Sequence, residues 1–358
     1  MGRGPEDLNQ PVKNELSNYF FPAGNSGFDF ALRTKIIFGE GTVSRLPGEI
    51  KQMCGSKVLM VTSNGMPERP PVKEIFSCLD KAGLDYAIYS SAPPEPSADD
   101  VSKCRTFAEK TSPDFVVGVG GGSALDVAKK VATEIKLPKI MVPTTAGSGS
   151  EVTYNSVIKV DGRKKSFSDP SIAADVAIVD PNLLATLSPA GMVGPALDAM
   201  AHAVESYGSR KGNPITRALA LDAYLRIKGN INRALSGDAE GRRNISLGSL
   251  MAGMALANTG TTLGHALANP LSNLGMPHGQ ALALILPYLL EINQFDAGYA
   301  DTLKSFRRGY CVTTGIHWNI PEMAKEVAAD ERHLANNARE VTLQEITEAY
   351  TGIRNEAG

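Results

Sequence analysis

Hydrophobic positions fall into short, consecutive runs over the first half of the chain. Thr34-Lys35-Ile36-Ile37-Phe38-Gly39, Lys57-Val58-Leu59-Met60-Val61-Thr62, Phe115-Val116-Val117-Gly118-Val119 and Lys139-Ile140-Met141-Val142 are β-prone, and Asp85 to Tyr89 adds a fifth run. Helical patterns separate them over Val72 to Ala82, Asp99 to Lys110 and the residues after Gly122. This alternation predicts βα units on a largely parallel sheet. Two further short runs, Tyr154 to Val160 and Val176 to Val179, flank a polar stretch that holds Arg163, Lys164 and Lys165. After Asp180-Pro181 the pattern changes, and from Ser188 onward Ala/Leu/Met/Gly-rich helical stretches dominate. The expected organisation is an irregular N-terminal arm over 1–32, an α/β domain over 33–184 and a helical domain over 185–358.

No residue from Ile245 to Ala268 carries a full charge, and the stretch has the length of a membrane span. Its glycines, its hydroxyl side chains, Asn258 and His265 favour a buried helix pair broken by a turn. A chain of 358 residues can bury about 75% of the surface that it exposes when unfolded, which removes any need for disulfide staples. With 36 Lys and Arg against 38 Asp and Glu, the formal charge is -2. That balance gives no footprint for nucleic acid or an anionic membrane. Cys54, Cys78, Cys104 and Cys311 show no CxxC spacing and no secretory signal precedes them, so a reducing, cytoplasmic location is expected.

The chemistry concentrates in two loops and a set of histidines. The run ending at Val119 leads into Gly120-Gly121-Gly122-Ser123 and then a helical pattern. Glycines let backbone N–H groups approach an anion, and a helix N-terminus adds unpaired donors, so a diphosphate is a natural guest. A tight βα turn that binds nothing has the same look. A second loop, Pro143-Thr144-Thr145-Ala146-Gly147-Ser148-Gly149-Ser150-Glu151, offers hydroxyls and backbone donors for ribose and phosphate oxygens, or caps the next element. Asp198 and His202 lie four apart on one helix face, while His265 and His278 stand in other apolar stretches. One oxygen and three nitrogens suit Fe²⁺ or Zn²⁺; independent core or helix-end histidines are the other reading. His317 and His333, in a polar C-terminal segment, read as surface or packing residues.

Taken together, GGGSALDVAK from Gly120, PTTAGSGSEVT from Pro143, DPNLLATLSP from Asp180, DAMAHAVESY from Asp198 and MPHG from Met276 resemble the iron-dependent, or group III, alcohol dehydrogenase family. That family belongs to a larger group with glycerol dehydrogenase-like and dehydroquinate synthase-like folds. The resemblance implies an α/β dinucleotide-binding domain followed by an all-helical domain, with cofactor and substrate meeting between them. It places the metal ligands on Asp198, His202, His265 and His278. It places the diphosphate on Gly120, Gly121, Gly122 and Ser123 of the segment that includes Asp126, and nicotinamide-side contacts on Thr144, Thr145 and Ser148. Lys164 matches a cofactor-contacting lysine. The implied activity is interconversion of a small aldehyde and its primary alcohol, with the metal as Lewis acid and a homodimer as the implied assembly. Competing readings are a metal-independent reductase like the maleylacetate reductases, a dehydroquinate synthase-like lyase, and a nucleotide- or metal-sensing scaffold.

Two departures from the family pattern carry expectations of their own. Asn269 stands where many relatives have a further histidine, and an amide cannot titrate, so its expected role is to orient substrate or water. Ser63 stands where NADH-preferring relatives carry an acid. Loss of that carboxylate removes repulsion toward a 2′-phosphate, which favours NADP(H) over NAD(H).

Overall fold

The computed structural model describes residues 27–307, 310 and 317–357. Most of the expected N-terminal arm lies outside that range. Residues 27–30, the described part of a unit spanning Met1–Phe30, have no regular secondary structure, and residues 31–358 form one compact unit.

The consecutive apolar runs form six parallel strands: β1 (Lys35–Phe38), β2 (Lys57–Thr62), β3 (Asp85–Tyr89), β4 (Phe115–Gly120), β5 (Lys139–Pro143) and β8 (Val176–Val179). Their spatial order is β1-β8-β5-β4-β2-β3. Alternate residues serve opposite faces. Val58 and Met60 pack with Leu46, Ile50, Ile75 and Leu79 from α1 (Leu46–Gln52) and α2 (Pro70–Lys81). Leu59 and Val61 pack with Val101, Cys104, Leu125 and Val131 from α3 (Ala98–Thr111) and α4 (Gly122–Glu134). Burial on both faces explains why the strands read as continuous rather than alternating. The sheet changes direction between β2 and β4, where Thr62 pairs with Val119, so the ends of these two strands open on one crevice. Next along the sheet, Gly120 pairs with Pro143, which brings the two loops named above side by side.

The polar stretch at Arg163 is itself a strand. β6 (Asn155–Val160) and β7 (Arg163–Ser168) form an antiparallel hairpin in register from Asn155↔Ser168 to Val160↔Arg163. Asp161 and Gly162 both have positive φ, at 51° and 75°, as a tight two-residue hairpin turn demands. The polar strand is held by its partner strand and by Phe167, which packs with Ile158 of β6 against the core on that face of the sheet.

Among the described residues, every regular element after β8 is helical, the α-helices being α5 (Pro189–Gly208), α6 (Pro214–Leu235), α7 (Ala239–Thr259), α8 (Leu263–Asn273), α9 (His278–Ile292), α10 (Ala300–Arg307), α11 (Ile320–Ala328), α12 (Glu331–Leu334) and α13 (Leu343–Ala357). The uncharged stretch from Ile245 falls on α7 and α8 with a break at 260–262, so the expected helix pair is present. Among the described residues, no helix is long and apolar enough to cross a membrane, and Cys54, Cys78 and Cys104 are free thiols.

One loop joins the two layers. Residues 144–154, after β5, are drawn over α4 by the fully buried Lys129, whose ammonium donates to the carbonyls of Ser150 (2.8 Å), Thr153 (3.4 Å) and Asn155 and lies 3.3 Å from Asp126. Burial lowers the Lys129 pKa, and the charges of Asp126 and Glu151 oppose that shift. The outer side of the loop meets α7 backbone to backbone: Gly149, at φ +61°, leaves no room beside Gly253, where a Cβ would lie 2.7 Å from the Gly149 Cα. Gly253→Ala must therefore push the loop off the helix. Overpacking of this kind costs about 1–3 kcal/mol, so a thermal midpoint several degrees below wild type is expected by calorimetry. An unchanged midpoint would refute the contact.

Candidate active site

Ser188 caps the N-terminus of α5, its hydroxyl accepting from the Gly191 N–H, and the apolar residues of the helix pack it into the helical layer. Asp198, His202 and Glu205 recur at i, i+4 and i+7, which puts them on one face. All three are buried. Ligand atoms of Asp198, His202 and His265 lie within 4.8 Å of one another. The facing ring nitrogens, Nε2 of His202 and Nε2 of His265, are 3.1 Å apart, and the rings stack at 4.8 Å between centroids.

The outer nitrogens of both rings are already engaged. His202 Nδ1 lies 3.2 Å from the Gly147 carbonyl, and His265 Nδ1 lies 2.5 Å from Glu205 Oε2. A carbonyl can only accept, so His202 carries its proton on Nδ1 and turns a lone pair on Nε2 toward its neighbour. Glu205 also accepts from the N–H groups of Thr262 (2.8 Å) and His265 (3.1 Å) and from the Thr262 hydroxyl (3.1 Å). Burial alone would raise the Glu205 pKa, but His265 and these donors hold it well below the ordinary carboxylate range. Burial likewise disfavours charge on His265, yet the Glu205 carboxylate outweighs it and the pKa rises. At His202 burial prevails and the pKa falls.

The donor set fits a divalent cation. Asp198 Oδ1 is buried without a hydrogen-bond partner and stands 3.4 Å from His202 Nε2. A carboxylate oxygen and imidazole lone pairs converging in this way repel one another unless a cation or a proton lies between them. With an ion held there, Glu205 would be the outer partner that fixes the tautomer and orientation of His265.

Other residues singled out from the sequence divide into those that reach the same space and those that do not. A cleft of about 1390 Å³ is lined by Gly122, Ser123, Asp126, Thr145, Ser148, Lys164, Asp198, His202, His265, Asn269 and His278. His278 stands outside the close trio: its ring centroid is 5.3 Å from that of His265, and its Nδ1 lies 3.3 Å from the Ser272 hydroxyl. Burial drives its pKa down to about 3, so it is a neutral imidazole. Asp126 binds within the protein, accepting from the Ser150 hydroxyl (2.6 Å) and the Val157 N–H (3.0 Å). Lys164 pairs with Glu95 at 2.8 Å. Ser123 Oγ accepts from the Glu95 N–H at 3.2 Å. Gly120, Gly121, Thr144 and Ser63 are not among the residues that line this cleft; Thr144 is fully buried, and Ser63 follows β2 at the crevice beside β4. Gly122 cannot carry a side chain, because a Cβ would stand 2.7 Å from the Ser148 hydroxyl.

Two residues escaped the sequence reading. Glu205 is one, although its i+7 spacing from Asp198 was the available signal. His333 is the other: instead of packing at the surface, it lines this cleft with both ring nitrogens in hydrogen bonds.

Comparison with known proteins agrees with this geometry. Residues 33–181 match the model of the iron-containing alcohol dehydrogenases, and residues 192–306 match the C-terminal model of the Fe-containing alcohol dehydrogenase family. Long-chain-alcohol dehydrogenase 1 of Geobacillus thermodenitrificans is 34% identical over 70% of this chain and 70% of its own length. Lactaldehyde reductase of Escherichia coli K12 is 28% identical over 87% of this chain and 96% of its own. Sulfoacetaldehyde reductase from Bifidobacterium kashiwanohense, solved in complex with NAD+, superposes with a TM-score of 0.84 at 26% identity, covering 92% of this chain and 99% of that one. These matches, together with the α/β sheet, the helical layer and the buried Asp/His cluster, make the protein an oxidoreductase of the alcohol dehydrogenase and aldehyde reductase class. The chain belongs to the iron-containing alcohol dehydrogenase family.

Glu205→Gln should keep the packing but weaken the restraint on His265. Outer-partner substitutions typically cost 10–100-fold in metal affinity, and a loss of that size is expected in Fe²⁺ titrations with the fold retained by circular dichroism. An affinity equal to wild type would remove Glu205 from this role.

Proposed function

We propose that this enzyme reduces a small aldehyde to its primary alcohol with a nicotinamide cofactor and one divalent ion per chain, Fe²⁺ in preference to Zn²⁺. The observation that carries the reading is the convergence of Asp198, His202 and His265 on the wall of the cleft that Gly122, Ser123, Thr145 and Ser148 also line. Asp198, His202, His265 and His278 would hold the ion. The ion would supply Lewis-acid polarisation of the carbonyl oxygen, and the cofactor a hydride.

The chain's own residues divide the remaining work. The loops after β4 and β5 would hold the diphosphate and the nicotinamide side of the cofactor, with Lys164 at the rim. Asn269, one helical turn beyond His265, would orient substrate or water. The domains divide at 184/185, and the substrate sits where they meet. Metal analysis of protein purified anaerobically should give close to one ion per chain, lost in His265→Ala and His278→Ala. A panel of short aldehydes, anionic ones included, should give the matching alcohols in step with cofactor oxidation. Substrate loss without net cofactor oxidation would point to lyase chemistry instead.

Ser63 supports NADP(H) as the preferred cofactor. It follows β2 at the reversal of strand order, where the adenosine ribose of a dinucleotide is expected, and it brings no negative charge to a 2′-phosphate. Comparison of kcat/KM for the two reduced cofactors should favour NADPH, and Ser63→Asp should shift the ratio toward NADH. A wild-type preference for NADH of about tenfold, or about 1.4 kcal/mol, would overturn this assignment.

A further inference from the structure

Beside the cation trio, a second chain of polar side chains reaches the same cleft. Asp330 precedes the single turn α12 and accepts from the His333 N–H through Oδ1 at 3.2 Å. Its other oxygen, Oδ2, lies 2.6 Å from His333 Nδ1. The far nitrogen of the ring, Nε2, lies 2.9 Å from the Thr261 hydroxyl. Thr261 belongs to the turn between α7 and α8, four residues before His265, and both Thr261 and His333 line the cleft. Carboxylate, imidazole and hydroxyl are thus in line from Asp330 to the cleft wall.

The turn does not need His333 to hold its shape. Asn336 already secures the backbone, donating to the carbonyls of Thr259 (2.8 Å) and Thr261 (3.2 Å), and is itself fixed by the Ser209 hydroxyl (2.8 Å). His333 addresses only the Thr261 side chain. With Asp330 keeping a proton on Nδ1, neutral His333 accepts from the Thr261 hydroxyl at Nε2. Protonated His333 donates to the Thr261 oxygen and frees the hydroxyl proton to point elsewhere. The pair therefore has two hydrogen-bonded arrangements that differ by one proton. Asn269, on the same cleft wall, has no such capacity.

We infer that Asp330, His333 and Thr261 form the proton path of the reduction, an inference that rests on the aldehyde reductase reading. A bound reduced nicotinamide would supply a hydride, with its electron pair, to the carbonyl carbon. The carbonyl oxygen takes the Thr261 hydroxyl proton as the C=O π-bond becomes an O–H bond. Thr261 recovers a proton from His333 Nε2, and neutral His333 takes one from solvent. Aldehyde, reduced cofactor and one proton thus become alcohol and oxidised cofactor, while Asp330 holds the ring.

The test uses the metal-loaded enzyme with an aldehyde that the wild type reduces. General acid catalysis contributes about 10²–10⁴-fold, so His333→Ala should lower kcat by about 100-fold or more. Metal content, NADPH affinity by fluorescence and thermal midpoint should stay at wild-type values. Imidazole in the buffer should restore part of the lost rate, and the solvent deuterium isotope effect on kcat should rise. Thr261→Val, which exchanges a hydroxyl for a methyl, should show the same loss, and Thr261→Ser should recover most of it; this pair carries the test if His333→Ala fails to fold. Variants with wild-type kcat and isotope effect overturn the path. A loss that imidazole does not relieve and that travels with lost metal or a lowered midpoint makes the chain a structural clamp and also overturns it. An inactive wild type with metal and cofactor bound is a different failure, because it refutes the reductase reading and the path falls with it.

Discussion

The contact between Gly149 and Gly253 sets how closely the sheet layer and the helical layer can approach, and the cleft depends on that distance. Two backbones meet there with no side chain between them, so the approach is fixed by peptide geometry rather than by rotamers. Gly147 meets Pro195, and Gly279 meets Gly194, in the same manner, with Cβ positions at 2.8 and 3.1 Å from the opposing atoms. These contacts bring one loop against α7 and α5 and the start of α9 against α5. The loop can then do two things at once. It presents Thr145 and Ser148 to the cleft, and through the Gly147 carbonyl it selects the tautomer of His202.

Buried charge is used on both sides of this seam, each time in a satisfied network. On the sheet side, Lys129 and Asp126 bind loop carbonyls, a hydroxyl and a hairpin N–H, so the cost of burial is offset by hydrogen bonds that shape the loop. On the helix side, Glu205 performs the equivalent service for the turn at Thr262 and for His265. Among the described residues, Asp198 Oδ1 is one of five buried side-chain atoms without a hydrogen bond, with Thr34 Oγ1, Thr62 Oγ1, Glu95 Oε1 and Asn155 Oδ1, and it is the one that stands 3.4 Å from a ring nitrogen of His202.

The inner strands β2, β4, β5 and β8 were legible because they are continuous apolar runs buried on both faces, while β1 and β3, at the two edges, are partly exposed. The helical layer was legible from composition, and the break between α7 and α8 from glycine and hydroxyl residues within an uncharged stretch. β7 was not, because Arg163, Lys164 and Lys165 look like a solvated loop and only the Asp161-Gly162 turn betrays the hairpin. The cation trio was foreshadowed by the i, i+4 spacing of Asp198 and His202 and by the scarcity of histidine. His278 was harder, since its place beside the trio depends on how α9 leaves the turn at Met276-Pro277. Glu205 and His333 were missed for different reasons. A buried glutamate on a helix resembles a surface one until its partner is known, and no local pattern says that residues near 333 return to the turn before His265.

The pairing of Glu205 with His265 makes the pocket a competition between protons and metal. Asp198 and Glu205 bring two negative charges into a fully buried space, and both imidazoles can be neutral there, so a divalent ion balances the account. Protons can balance it as well, and the Glu205 carboxylate favours a proton on His265 in particular. On the proposed metal reading, entry of a cation would expel a proton from a ring nitrogen, and apparent metal affinity would become a function of acidity. The carboxylate that orients His265 for coordination is thus also the group that makes the apo pocket hold on to its proton, and discrimination for metal over solvent narrows as the medium turns acidic.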